Sequence, residues 1–203
     1  MEFIIEHGRL VQYIGNSRHV TIPEGIETID FLAFAHSTVE YVSFPESLKY
    51  IDGYAFRGSA IKEVSLPKSI ILHIGAHAFE GCRQLKKITL PETILTLGES
   101  AFSGCSIEEI TIPFGAAVIP KKCFSGCRHL RQVRLPICFN RIEEEAFAHC
   151  HRLQQVACYG TAMGLPRRDP TINETAFLGC DPTWTHDDTV VNRLHWRWKR
   201  FCS

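Results

Sequence analysis

A phenylalanine returns along most of this chain at nearly constant intervals. Phe34, Phe56, Phe79, Phe102, Phe124 and Phe147 are separated by 22, 23, 23, 22 and 23 residues. Spacing that regular restricts the chain to a repeat architecture, in which each period is one unit that buries its apolar face only against its neighbours. Other positions keep the same step. Five residues before each phenylalanine stands an aliphatic residue: Ile29, Ile51, Ile74, Leu97, Ile119 and Ile142. After it come Gly-Cys or a variant, then a short alternating run closed by proline, as in Ile88-Thr89-Leu90-Pro91 and Ile110-Thr111-Ile112-Pro113.

One copy shows what the period builds. Ile110 and Ile112 alternate with Thr111, so a strand there turns its aliphatics to one face and its hydroxyl to the other. Such a strand is too short to stand alone. Pairing with the equivalent strand of the next coil gives a parallel sheet that advances roughly 4.8 Å per coil. Proline, lacking an N–H, ends the ladder at one place in every coil. Gly58, Gly81, Gly104, Gly126 and Gly179 permit a left-handed backbone after the phenylalanine turn. The phenylalanines are expected to stack as a spine.

The combined pattern of an aliphatic residue, Ala-Phe, Gly-Cys, an alternating run and proline resembles the BspA-like leucine-rich repeat family over about residues 17 to 180. The resemblance implies an α/β repeat solenoid: a right-handed coil with a parallel β-sheet on its concave face and short helical turns on its convex face. It also implies a surface that binds other molecules, bacterial surface adhesins being among known relatives. Departures are local: His36-Ser37 replaces Gly-Cys, His149 replaces glycine, Cys123 replaces alanine, and Phe177 follows Phe147 by 30 residues.

We read residues 1–203 as a single domain. Two apolar runs separated by His7-Gly8 predict a hairpin cap over 1–16. About seven repeats fill 17–180, with an insertion at 159–170 that carries Arg167 and Arg168. In 181–203, Val190, Val191, Leu194, Trp198 and Phe201 share one side at helical spacing, which predicts a helical cap over the last coil.

Lys plus Arg and Asp plus Glu both number 22, so no global field recruits nucleic acid. The first residues lack a basic run followed by an apolar one, and no stretch has the length of a membrane span. A cytoplasmic monomer or weak dimer is expected, with the cell surface as the alternative if a leader precedes this sequence. Five of nine cysteines, Cys82, Cys105, Cys127, Cys150 and Cys180, hold one repeat position. They read as small buried residues with free thiols, although neighbours about 5 Å apart are within disulfide reach.

The outward strand positions predict a partner-binding concave face formed by Glu40, Tyr41, Lys62, Glu63, Lys86, Lys87, Glu108, Glu109, Arg131, Gln132 and Arg134. Lys86 and Lys87 are expected beside Glu108 and Glu109, where ion pairs would keep the sheet soluble. The face is read as a site for a protein partner or, alternatively, a glycan. No P-loop, HExxH, GxSxG or CxxC occurs, and the chain reads as non-enzymatic, without a cofactor. Cys123, Cys127, His129, His149, Cys150 and His151 lie one coil apart and are the residue types that hold zinc. We read these cysteines instead as core residues and the histidines as surface substitutions, with no metal.

Overall fold

The computed structural model describes residues 2–68, 72–160, 170–180 and 182–186. Strands are numbered in chain order. The alternating runs form β3 (His19–Thr21), β5 (Tyr41–Ser43), β7 (Glu63–Ser65), β9 (Lys87–Thr89), β11 (Glu109–Thr111), β13 (Gln132–Pro136), β15 (Gln155–Tyr159) and β17 (Thr183–His186). Neighbouring strands run parallel, with Val20 opposite Val42, Val64 opposite Ile88 and Ile110 opposite Val133. All six of these side chains are buried. This is the expected sheet.

A second parallel sheet was not expected. The aliphatic residues preceding each phenylalanine lie in β4 (Thr28–Ile29), β6 (Tyr50–Ile51), β8 (Leu72–Ile74), β10 (Ile94–Leu97), β12 (Val118–Ile119), β14 (Arg141–Ile142) and β16 (Thr171–Ile172). Runs this short show no measurable alternation. Stacking alone makes them strands. At the N-terminal end β1 (Phe3–Glu6) and β2 (Arg9–Tyr13) pair antiparallel around His7 and Gly8, whose φ angles are 46° and 76°. Two positive φ values in a two-residue loop fit the right-handed twist of a hairpin. β2 then pairs parallel with β4, so the expected cap extends the second sheet.

The expectation of helical turns is corrected: among the described residues there are no helices. The third side of each coil from Phe34 to Phe147 is a turn with a left-handed residue two positions before its phenylalanine and another two positions after it. Tyr54 and Gly58 flank Phe56, His77 and Gly81 flank Phe79, and Ser100 and Gly104 flank Phe102, with φ between 54° and 71°. An α-helix requires successive right-handed residues and i→i−4 bonds. Here alternate amides leave the coil: the N–H groups of His77, Phe79 and Gly81 donate to the carbonyls of Glu99, Ala101 and Ser103, each at 2.8 Å. The intervening amides close short turns. The turn is thus a third ladder rather than a helix. The helical cap expected over 181–203 is corrected where it is described: Thr183–His186 form the strand β17, while residues 187–203 of that cap and 161–169 of the expected insertion lie outside the described residues.

Inside, the phenylalanines stack as anticipated, from Phe34 on Phe56 at 4.8 Å to Phe147 on Phe177 at 5.2 Å, ring planes within 11° of parallel. Tyr13 of the cap continues the stack at 5.1 Å from Phe34, and its N–H bonds the carbonyl of Ala33. The cap therefore imitates a coil at the exposed end. The repeated cysteine serves the same turn. Each thiol donates to the carbonyl of the phenylalanine in the preceding coil, from Cys82 to Phe56 at 3.0 Å through Cys180 to Phe147 at 3.1 Å.

His149 holds the position that is glycine in five other coils and has φ 59°. A side chain in this region costs about 1–2 kcal/mol. His149→Gly is expected to stabilise the protein by about 1 kcal/mol in urea denaturation. A loss of stability would show that the His149 ring, which lies over Gly179, contributes more than the strain removes.

Candidate strand-face site

The outward residues of β3 to β15 form the candidate surface. At its N-terminal end Glu40 lies between Arg18, at 3.6 Å, and Lys62, at 2.7 Å. The Lys62 hydrogen bond holds the Glu40 carboxyl below its ordinary pKa. Tyr41 stacks on His19 at 4.8 Å, and the Lys62 ammonium lies 5.9 Å from the Tyr41 ring centroid. Lys87 pairs with Glu63 at 3.0 Å. These surface charges, Glu40 and Lys62 half-buried among them, hold one another in place, each pair contributing about 0–1 kcal/mol.

The middle of the face differs from expectation. Lys86, Lys87, Glu108 and Glu109 do lie together, lining a groove of about 480 Å³ with Ile88, Thr89, Leu90, Ile110 and Thr111. The expected lysine–glutamate pairs are absent among the described residues, and Lys87 turns instead to Glu63. The cause is an interruption in the ladder. Strands β3, β5, β7 and β9 form one sheet and β11, β13, β15 and β17 another, while the second sheet parts one strand further along the chain, between β10 and β12. The Glu108 N–H reaches the Lys86 carbonyl at 3.4 Å, whereas the equivalent Lys86-to-Lys62 and Arg131-to-Glu108 bonds measure 3.0 and 2.8 Å.

The interruption follows from arc length. From phenylalanine to the central strand residue is nine positions in the coil of Phe79 and Ile88, and eight in the next, from Phe102 to Ile110. Among the coils from Phe34 to Phe147, only here does a shorter arc follow a longer one. The shorter arc does not carry β11 as far as β9, and a groove opens between them.

At the C-terminal end Glu109 stands opposite Gln132, and Thr111 opposite Arg134. Arg131 is exposed. The Arg134 guanidinium lies 5.7 Å from the ring of Tyr159, which meets Phe114 edge-on at 5.1 Å. The Tyr159 hydroxyl donates to the Ile112 carbonyl at 2.8 Å, and burial pushes its pKa up to about 12. The sequence reading did not select this aromatic pair. Its signal was available: the residue after the strand-ending proline is Glu24, Glu46, Lys68 or Glu92 in earlier coils but Phe114 here.

The residues considered for zinc do not share one site. Cys123, Cys127 and Cys150 are buried, the last two donating to carbonyls, while His129, His149 and His151 are exposed. No group of three or more potential metal ligands occurs among the described residues. All eight described cysteines are free. Burial pushes the Cys127 thiol up to about 12 and raises Cys105 and Cys123. Cys180 is only partly buried, and a hydrogen bond with Cys150 lowers its pKa. At pH 8, maleimide is expected to label Cys180 first among these eight and to leave Cys105, Cys123 and Cys127 unmodified in native protein. Peptide mapping by mass spectrometry checks the order.

Three-sided coils built on a phenylalanine spine define a leucine-rich-repeat solenoid. More particularly, the family profile described as BspA type leucine rich repeat region matches six copies across residues 11–72 and 54–183, and the chain belongs to that family. The crystal structure of a leucine rich repeat protein from T. pallidum superposes with a TM-score of 0.73 at 23% identity, covering 96% of this chain and 88% of that one. A leucine rich cell surface protein from Faecalibacterium prausnitzii gives 0.42 at 21% identity, covering 72% and 61%. The pneumococcal vaccine antigen PcpA gives 0.40 at 15%, covering 85% and 69%. No curated protein matches this chain in sequence. Among the described residues, no helix is long and apolar enough to cross a membrane.

Proposed function

We propose that the chain is a non-enzymatic protein-interaction module whose partner docks on the strand face. The observation that carries this reading is the groove between β9 and β11. Four charged side chains line it without pairing across it, and the carbon faces of Ile88 and Ile110 lie beneath. Lys87 is held by Glu63, but Lys86, Glu108 and Glu109 beside the parted ladder are available to a partner's complementary groups, which set specificity and association rate. The stacked Tyr41 at one end and the Phe114–Tyr159 pair at the other supply aromatic surface of the kind that anchors interfaces.

The test is affinity capture with wild type and with a Lys86→Glu, Lys87→Glu variant. Lysate of the source organism and host extracellular matrix are used separately. Proteins enriched by wild type and lost with the variant support the site, and photo-crosslinking from position 89 then marks the contact. An identical capture profile with both proteins would move the site off this face. Enrichment from matrix alone would favour a surface adhesin over an intracellular module.

A further inference from the structure

The turn edge carries a charge pattern that the strand-face reading does not use. Immediately after the repeated cysteine stand Arg83, then Arg128 and His129, then His151 and Arg152, all exposed. Arg9, Arg18, Arg57 and Arg141 each pair with a carboxylate. Among the described residues, Arg83, Arg128 and Arg152 have no such pair. Arg131 and Arg134 on the strand face likewise have none, but in a chain of zero formal net charge this edge carries three unneutralised arginines.

That edge is concave. Two cavities of about 520 and 630 Å³ share Arg83 as a common wall, and together they run from His36 to His129. The one carboxylate in either lining is Glu80, held by Arg57 at 3.0 Å. Ser103 and Ser106 donate to backbone carbonyls at 3.1 and 2.6 Å, so those hydroxyls are committed and the exposed arginines supply the charged donors.

We propose that this edge binds an extended acidic peptide segment of a partner protein, at a site separate from the strand-face groove. Arg83 and Arg128 are two coils apart, with coil spacings of 5.4 Å along the spine. A polyproline II segment advances about 3.1 Å per residue and returns a side chain to the same side every third residue. Carboxylates three residues apart therefore meet these two guanidinium groups in turn, each able to form a bidentate pair. Nucleic acid fits less well: its charge density of about one per 1.7 Å far exceeds that of this sparse row.

The probe is a fluorescein-labelled peptide with glutamate at every third position, followed by fluorescence anisotropy at low and physiological salt. A peptide of the same composition with its glutamates clustered is the control. Wild type is expected to bind the spaced peptide more tightly than the clustered one. Arg83→Ala with Arg128→Ala should weaken binding roughly tenfold, while Lys86→Glu with Lys87→Glu leaves it unchanged. Circular dichroism confirms that both variants remain folded. Absence of binding, or affinity unaffected by the arginine substitutions, would overturn the proposal. Tighter binding of a sulfated oligosaccharide or single-stranded DNA of equal charge would overturn it in favour of a general polyanion surface.

Discussion

Phe102→Ala is expected to destabilise the protein by about 3–5 kcal/mol and to broaden or split its unfolding transition. Phe102 is fully buried and stacks between Phe79 and Phe124 at 5.4 Å on each side. Its removal leaves a cavity that a solenoid closes poorly, because the flanking coils are held apart by their own ladders. Position adds to the cost. The strand-face sheet is interrupted between β9 and β11 and the second sheet between β10 and β12, so the two ring contacts of Phe102 and the turn bonds on either side of it carry much of that junction. Repeat arrays behave as chains of nearest-neighbour couplings. Weakening one junction by several kcal/mol lets the two sides melt separately. Urea denaturation followed by circular dichroism reads the effect, with Phe44→Ala as the comparison, since Phe44 is only partly buried. A cost below about 1 kcal/mol for Phe102→Ala would rule out the spine as the main core.

Gly98→Ala is expected to cost about 3 kcal/mol, more than Gly126→Ala at about 1 kcal/mol. The order reverses what backbone angles alone suggest. Gly126 has φ 72° and Gly98 has no positive φ. A Cβ at Gly126 meets no atom closer than 3.9 Å, so only the left-handed conformation opposes it. A Cβ at Gly98 would lie 2.3 Å from the Ala76 nitrogen and 2.4 Å from the Gly75 carbonyl carbon. Those are backbone atoms of the preceding coil, and they cannot rotate away as a side chain does. The coils must separate at that corner. Thermal unfolding of the two variants under one set of conditions gives the comparison, and a larger loss for Gly126→Ala would contradict this crowding.

Much of the fold was legible because it repeats. Each coil restates the buried phenylalanine, the alternating strand, the proline and the thiol, so a pattern weak in one copy becomes secure over six. The family resemblance and the stacked spine were read on that basis, while the hairpin cap was read from the turn residues His7 and Gly8 between two apolar runs. Helical turns were not a sound inference. Tyr54, His77 and Ser100 adopt left-handed conformations that non-glycine residues rarely take, and nothing in their chemistry announces it. The ladder to the next coil holds them there.

The candidate site divides along the same line. Which residues face outward on the strands follows from alternation, and the sequence alone determined it. Whether those residues pair across coils does not, since Lys87 stands one step from both Glu63 and Glu109. Tertiary structure decided the matter by parting the ladder after β9, and it likewise brought Phe114 to Tyr159 and aligned Arg83 with Arg128. The physical reason is that a repeat specifies the content of one coil. The offset between two coils of unequal arc is a property of their contact, and it exists only once they are stacked.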